Sequence, residues 1–263
     1  MKNKWILITA IILFAVVFAF AGWKLMEQQR EYQAGEETYT GLETHIDIPE
    51  RAKLETDNNE GHDPSVGERE EDTQKEDSIV WPVVDFEALQ EINPDIVAWI
   101  YLEDTKINYP VVQGDDNSYY LKHTFEGKRN SAGCLFLDNR NQKVFSDRHS
   151  IIYGHHMKSG TMFSDLDKYK KQAFYDDHPT ILLMTPNQNY TIEVFAGYVA
   201  SVEDEAWKLG FTPMGYEEWL GLTEEKSCFD SLIEPVAMDR VITLSTCSNE
   251  FDNARFVVVG VLR

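Results

Sequence analysis

Two β-branched runs close together in sequence constrain this chain more than any other feature. Val241-Ile242-Thr243-Leu244-Ser245-Thr246-Cys247 ends in a thiol, and Arg255-Phe256-Val257-Val258-Val259 opens with a guanidinium. The link between them, Ser248 to Ala254, is short and polar, with Asn249, Asp252 and Asn253. This pattern predicts a β-hairpin. Facing residues of an antiparallel pair have a constant sum, so a turn centred on Phe251 sets Cys247 opposite Arg255. Such a pair points to one side of the sheet, with Cβ atoms about 5 Å apart. A thiol and a permanent cation are therefore expected side by side at a strand end.

A nearby cation favours the thiolate, which is the reactive form of cysteine. Arginine is always charged and carries five fixed donors, so it can also hold a developing oxyanion. What the pair lacks is a proton carrier. Ile151-Ile152-Tyr153-Gly154-His155-His156 is another apolar strand, and it runs into a glycine and two imidazoles. A histidine of near-neutral pKa can take a proton from a thiol and later give it to a leaving amine. Strand alternation aims His155 and His156 in opposite directions, so the residues alone leave both open. Two adjacent histidines rarely ligate one ion, and the sequence holds no H-x3-H or C-x2-C spacing, which argues against a metal site. No glycine-rich phosphate loop is present, and no cofactor is implied.

Charge narrows the partners. The formal net charge is −21 over 263 residues, which argues against nucleic acid and against a polybasic hold on anionic lipid. Three cysteines, Cys134, Cys228 and Cys247, cannot all pair within one chain and are too sparse for a disulfide framework. At the N-terminus, Met1-Lys2-Asn3-Lys4 is basic, and Trp5 to Trp23 then runs without a charge. At about 1.5 Å per residue a helix over 5–23 reaches about 30 Å, the hydrocarbon thickness. Trp5 and Trp23 flank it as interfacial aromatics do, and Lys2 and Lys4 place the N-terminus in the cytoplasm. A cleaved signal peptide is the alternative, with Ala19-Phe20-Ala21 as the small-residue site, but the apolar run is longer than a usual signal core. Residues 1–4 thus read as a cytoplasmic tail, 5–23 as a single-pass membrane anchor, 24–80 as an acidic extracellular linker and 81–263 as the folded domain.

In that domain Phe86, Leu89 and Ile92 fall at helical spacing behind Asp85 as cap and ahead of Asn93-Pro94 as stop. Short apolar runs at 97–101, 107–112, 134–137, 150–153, 181–185, 191–202, 241–246 and 256–262 read as strands. Pro110 marks the second of these as an edge or a bulge. Residues 117–121 and 162–169 read as helical turns, and a helix is expected around 216–222. Many short strands with no βαβ alternation predict a mainly β fold, a closed or nearly closed barrel of about eight strands.

Taken in order, these residues resemble the class B sortases, membrane-anchored cysteine transpeptidases of Gram-positive cell surfaces. The resemblance runs from about Trp81 to Arg263. It rests on Ile107-Asn108-Tyr109-Pro110-Val111-Val112-Gln113, Asn117-Ser118-Tyr119-Tyr120-Leu121, Gly133-Cys134-Leu135-Phe136-Leu137-Asp138, Tyr153-Gly154-His155, Met162-Phe163, and Thr243-Leu244-Ser245-Thr246-Cys247 with Arg255 after it. It implies that Cys247 is the nucleophile, that His155 rather than His156 carries the proton, and that Arg255 clamps the oxyanion. It also implies a groove lined by Asn117, Leu121, Tyr153 and Ser245, and a helix in the long connection before the Cys247 strand, where Trp207, Phe211, Tyr216 and Trp219 stand. Cys134 and Cys228 carry no role in that pattern. The implied reaction is cleavage of a C-terminal sorting signal after a Thr, through a thioacyl-enzyme, and transfer of the surface protein to an amine of a peptidoglycan precursor. A pilin lysine as acceptor, a hydrolase that releases peptide to water, and a non-enzymatic anchored binding module are the alternatives.

Overall fold

The computed structural model describes residues 2–49 and 79–263. Most of the acidic run expected as linker, 50–78, lies outside the described residues. A long helix, α1 (Lys2–Leu42), comes first. A two-residue strand β1 (Ile46–Asp47) pairs antiparallel with β2 (Val83–Val84), and α2 (Phe86–Ile92) follows. Asp85 caps α2 as expected, its Oδ1 accepting the Ala88 amide at 3.0 Å.

Eight further strands form the body: β3 (Ile96–Tyr101), β4 (Asn108–Val112), β5 (Leu135–Leu137), β6 (His149–Tyr153), β7 (Thr180–Met184), β8 (Asn189–Ser201), β9 (Arg240–Cys247) and β10 (Ala254–Leu262). They close into a barrel in the order β10-β8-β7-β3-β4-β5-β6-β9, with β9 returning to β10. The pairs β4–β5 and β6–β9 are parallel and the rest antiparallel. Between β7 and its predecessor lie a 3-10 segment over Phe163–Lys170 and the short α3 (Gln172–Asp177), and the long connection before β9 carries α4 (Pro213–Glu225).

Pro110 corrects one expectation. A closed barrel has no edge, and β4 is an interior strand paired on both sides. Pro110 faces Trp99 of β3, and the pairing with β5 starts only at Val111↔Leu135, so the missing amide interrupts no rung on that side. The bulge in β3–β4 falls at Ile96/Ala98 instead.

Two apolar clusters sit on the two sides of the barrel wall. Ile242, Leu244, Phe256 and Val258 belong to the interior cluster with Trp99 and Leu135. Val241, Val257, Val259 and Val261 belong to an outer cluster with Tyr216, Trp219 and Leu220 of α4. Alternation along each strand therefore assigns the odd-numbered residues of β9 and β10 to the outer face, under α4.

The N-terminal region departs from the expected spacer. α1 runs on past residue 24, and Tyr39, Leu42 and Ile46 are buried against the barrel. The Tyr39 ring meets Tyr109 edge-on at 5.3 Å between centroids, its hydroxyl donates to the Gly133 carbonyl, and Asn130 Nδ2 donates to the Glu31 carbonyl at 2.8 Å. Further back in α1, Leu13, Phe14, Val16, Val17, Phe18 and Phe20 are all exposed. Among the described residues no helix is long and apolar enough to cross a membrane, so the anchor expected over 5–23 is not shown by the structure; several side chains of that run lie outside the described set.

Candidate active site

The site is built by two registers that share β9. In the hairpin, Arg255 pairs with Cys247 and Val257 with Ser245, the register expected from the sequence. Asn253 adopts a left-handed conformation at φ 62°, and Ser248 N–H and Ala254 N–H close the turn onto Ala254 and Phe251 carbonyls at 3.0 and 3.1 Å. On the other side β6 runs parallel to β9, with His149 level with Val241 and Tyr153 level with Ser245. Gly154 N–H extends the ladder by bonding the Ser245 carbonyl at 3.0 Å. Continuing the same offset by two residues carries His155 level with Cys247. Three neighbouring strand ends thus bring the imidazole, the thiol and the guanidinium to one rim on the outer face.

His155 Nε2 lies 2.8 Å from the carbonyl of Leu121. A carbonyl only accepts, so Nε2 carries the hydrogen and Nδ1 is left for the sulfur. Hydrogen bonding to His155 holds the Cys247 thiol below its ordinary range, against a burial penalty, and the Arg255 charge adds to the effect. The hydrogen bond to Cys247 in turn raises His155, supported by the Leu121 carbonyl and opposed by burial and by Arg255. Both shifts favour a thiolate beside an imidazolium. Arg255 donates Nη1 to the Ala254 carbonyl at 2.9 Å and, among the described residues, makes no ion pair. Glu250, a carboxylate on the same hairpin loop, is taken by Lys170 instead.

The other cysteines are chemically different. All three are free. Burial pushes the Cys134 thiol up to about 12, and burial also raises Cys228. Only Cys247 combines exposure with a lowered thiol.

The expected groove residues reach the site in different ways. Leu121 contributes its carbonyl to His155, on a 3-10 turn over Tyr119–Leu121. Tyr153 and Asn117 converge on Asp138, a fully buried carboxylate to which no role attaches from sequence alone. Tyr153 OH donates to Asp138 Oδ2 at 2.9 Å, and Arg140 grips both oxygens at 2.8 and 2.7 Å. Burial works against the charge on Asp138, but Arg140, Tyr153 and Asn117 outweigh it and hold the carboxyl low. Asn117 Oδ1 also accepts the Asn139 amide at 2.8 Å. Ser245 is buried, its hydroxyl accepting the Trp207 indole N–H at 3.3 Å. Trp207 thereby pins the α4 connection over the strand that carries Cys247. His156 Nε2 lies 3.1 Å from Asp167 Oδ2, and it is not among the groups that shift Cys247. His149 is a buried neutral group, bridging the Lys208 carbonyl and the Thr243 hydroxyl at 2.7 and 2.8 Å, and burial lowers it to about 4. Cavities of about 410 and 440 Å³ lie between α1 and the barrel and beside Asp115–Tyr120; Cys247 lines neither of these two.

Residues 100–263 match the family model of the sortase domain. The chain belongs to the sortase family, whose members are cysteine transpeptidases. Its relatives place it more narrowly: it is 38% identical over 177 residues to Sortase B of Listeria monocytogenes, covering 66% of this chain and 72% of that one. It is similar to a Staphylococcus aureus sortase B–substrate complex at TM-score 0.65 and 37% identity, over 68% of this chain and 84% of that one. Clostridium perfringens sortase B matches at TM-score 0.64 and 35% identity, over 68% and 99% of the two chains.

Proposed function

We propose that this chain is a class B sortase that cuts a C-terminal sorting signal after a Thr and transfers the surface protein to an amine of a peptidoglycan precursor. The observation that carries the reading is the rim on which Cys247, alone of the three thiols, is lowered by His155 and faces Arg255. The Cys247 thiolate attacks the carbonyl carbon of the Thr. Arg255 holds the oxyanion, and His155 gives its proton to the amine as the C–N bond breaks. A thioester remains on Cys247. An incoming amine then attacks it, His155 takes the amine proton, and the thiolate leaves with a new amide formed.

Asn117, Leu121, Tyr153 and Ser245 border the path of the signal peptide in this reading. Leu121 acts through the carbonyl that orients His155, and Tyr153 and Asn117 through Asp138. A partner captured in a relative, the substrate of the S. aureus sortase B complex, supports a peptide substrate here. The uncharged run over 5–23 tethers the enzyme, with residues 1–4 in the cytoplasm and the catalytic domain outside the cell. Its support is the charge-free sequence and the exposure of Leu13, Phe14, Val16, Val17, Phe18 and Phe20 all round one helix.

The test is a sorting-signal peptide incubated with and without triglycine. The account expects an amide-linked triglycine product that Cys247→Ala abolishes. A product mixture unchanged by the amine would instead identify a hydrolase.

A further inference from the structure

The hairpin that carries Cys247 and Arg255 is fastened by one lysine from another segment of the chain. Lys170 ends the 3-10 segment Phe163–Lys170. Its ammonium forms an ion pair with Glu250 on the hairpin loop, reaches Ser248 Oγ at 3.4 Å and lies 5.0 Å from the Phe256 ring centroid. Ser248 donates its hydroxyl to the same Glu250. Two of these hairpin residues are neighbours of the reactive pair: Ser248 follows the thiol and Phe256 follows the guanidinium, while Glu250 lies on the loop between them.

The same segment also holds the imidazole side. Asp167 is 3.0 Å from Lys170 Nζ and 3.1 Å from His156 Nε2. Phe163 N–H bonds the His155 carbonyl at 3.0 Å, and Ser164 Oγ accepts the Met157 amide at 2.7 Å. One short segment therefore grips residues on both sides of the His155–Cys247 gap, which the strand registers alone leave open beyond their last rungs.

We propose that Lys170, through Glu250 and Asp167, is a positioning residue that sets the distance between the His155 imidazole and the Cys247 sulfur. The proposal rests on the transpeptidase reading for its kinetic readout only. Glu250 fits the role: its carboxyl is held down at about 2 by Lys170 and Ser248, so the clasp stays charged wherever the enzyme works. The charged groups around the thiol are His155 from the β6 side and Arg255 from the hairpin, and those around Lys170 are Asp167 and Glu250.

Two substitutions separate positioning from a simple field effect. Lys170→Met removes a positive charge from the clasp and Glu250→Ala removes a negative one, so a field effect reaching the thiol would move it in opposite directions. Loss of the clasp moves it the same way in both. The first readout is the rate of Cys247 alkylation by iodoacetamide against pH, in variants whose other two cysteines are replaced by Ala, and it needs no substrate. The second is kcat and KM on a sorting-signal peptide. Expected are an upward-shifted alkylation midpoint in both variants, kcat lower by about tenfold to a hundredfold with KM nearly unchanged, and recovery to near wild type in Lys170→Arg. Opposite shifts in the two variants, or wild-type midpoints in both, overturn the proposal. If the wild-type enzyme turns over no sorting peptide, the transpeptidase reading falls while the alkylation midpoints still decide the role of Lys170.

Discussion

Replacing Gly154 by Ala should disable the site while leaving the barrel folded. Gly154 joins the last rung of β6 to His155, and its N–H is spent on the Ser245 carbonyl. A Cβ built there would stand 2.3 Å from Leu135 Cδ2 and 2.6 Å from Phe163 Cδ2, both buried. Ordinary carbon contact starts at about 3.5 Å, so something must move by about 1 Å. Leu135 and Phe163 are packed in the interior cluster, and overpacking of this kind costs about 1–3 kcal/mol. The freer partner is the 154–156 backbone, which shifts His155 off the sulfur and the Leu121 carbonyl. A misplacement of about 1 Å is worth about a hundredfold in rate. The assay is kcat/KM for the sorting peptide beside a urea unfolding curve. Gly154→Ala should lose about a hundredfold in turnover at a stability cost of only about 1–3 kcal/mol. Adding Leu135→Ala should recover part of the turnover by opening the nearest contact. Wild-type kinetics in Gly154→Ala would refute the close-packing argument for the Tyr-Gly-His stretch.

Further outcomes follow from the same geometry. His149 is neutral in the fold with a depressed pKa, so below about 6.5 the unfolded chain binds the extra proton. Stability should be full above pH 6.5 and fall as pH drops towards about 4, by about 3 kcal/mol in all, and urea titrations at several pH values should show His149→Gln without that slope. Turnover that needs the Cys247 thiolate and the His155 imidazolium together predicts a bell-shaped pH profile, and Arg255→Ala, by removing a charge that lowers the thiol, should move the limb set by the thiol upward. Trp207→Phe removes the indole donor to Ser245; it should raise KM for the peptide more than it lowers kcat, read in the same assay. Tyr39→Phe deletes the hydroxyl that bonds Gly133, and thermal unfolding should register a loss of about 1 kcal/mol.

The sequence made the hairpin legible because its register is local. Two β-branched runs and a short link fix Cys247 opposite Arg255 with nothing else known, and the structure keeps that pairing. The parallel pairing of β6 with β9 carries no comparable mark, since its partners lie some ninety residues apart. The choice of His155 over His156 therefore came from a resemblance, whereas the offset that brings His155 level with Cys247 is a property of the closed barrel. Pro110 signals an edge or a bulge because propensity rules treat strands singly, and barrel closure overrides them. The docked part of α1 did leave a trace: Tyr32, Gly35, Tyr39 and Leu42 recur at helical spacing inside a polar stretch. The high charge of that region masked it. Lys170 and Glu250 meet across eighty residues through side chains alone, a contact for which periodicity offers no signal.

A single measurement bears on the central claim most directly: intact-mass and peptide-map analysis of the enzyme quenched in acid during turnover of a sorting-signal peptide. The account predicts a thioester on Cys247 whose added mass is the peptide up to and including its Thr, lost again when triglycine is added before the quench. An enzyme that turns the peptide over without any such adduct, or that carries it on Cys228, would contradict the account.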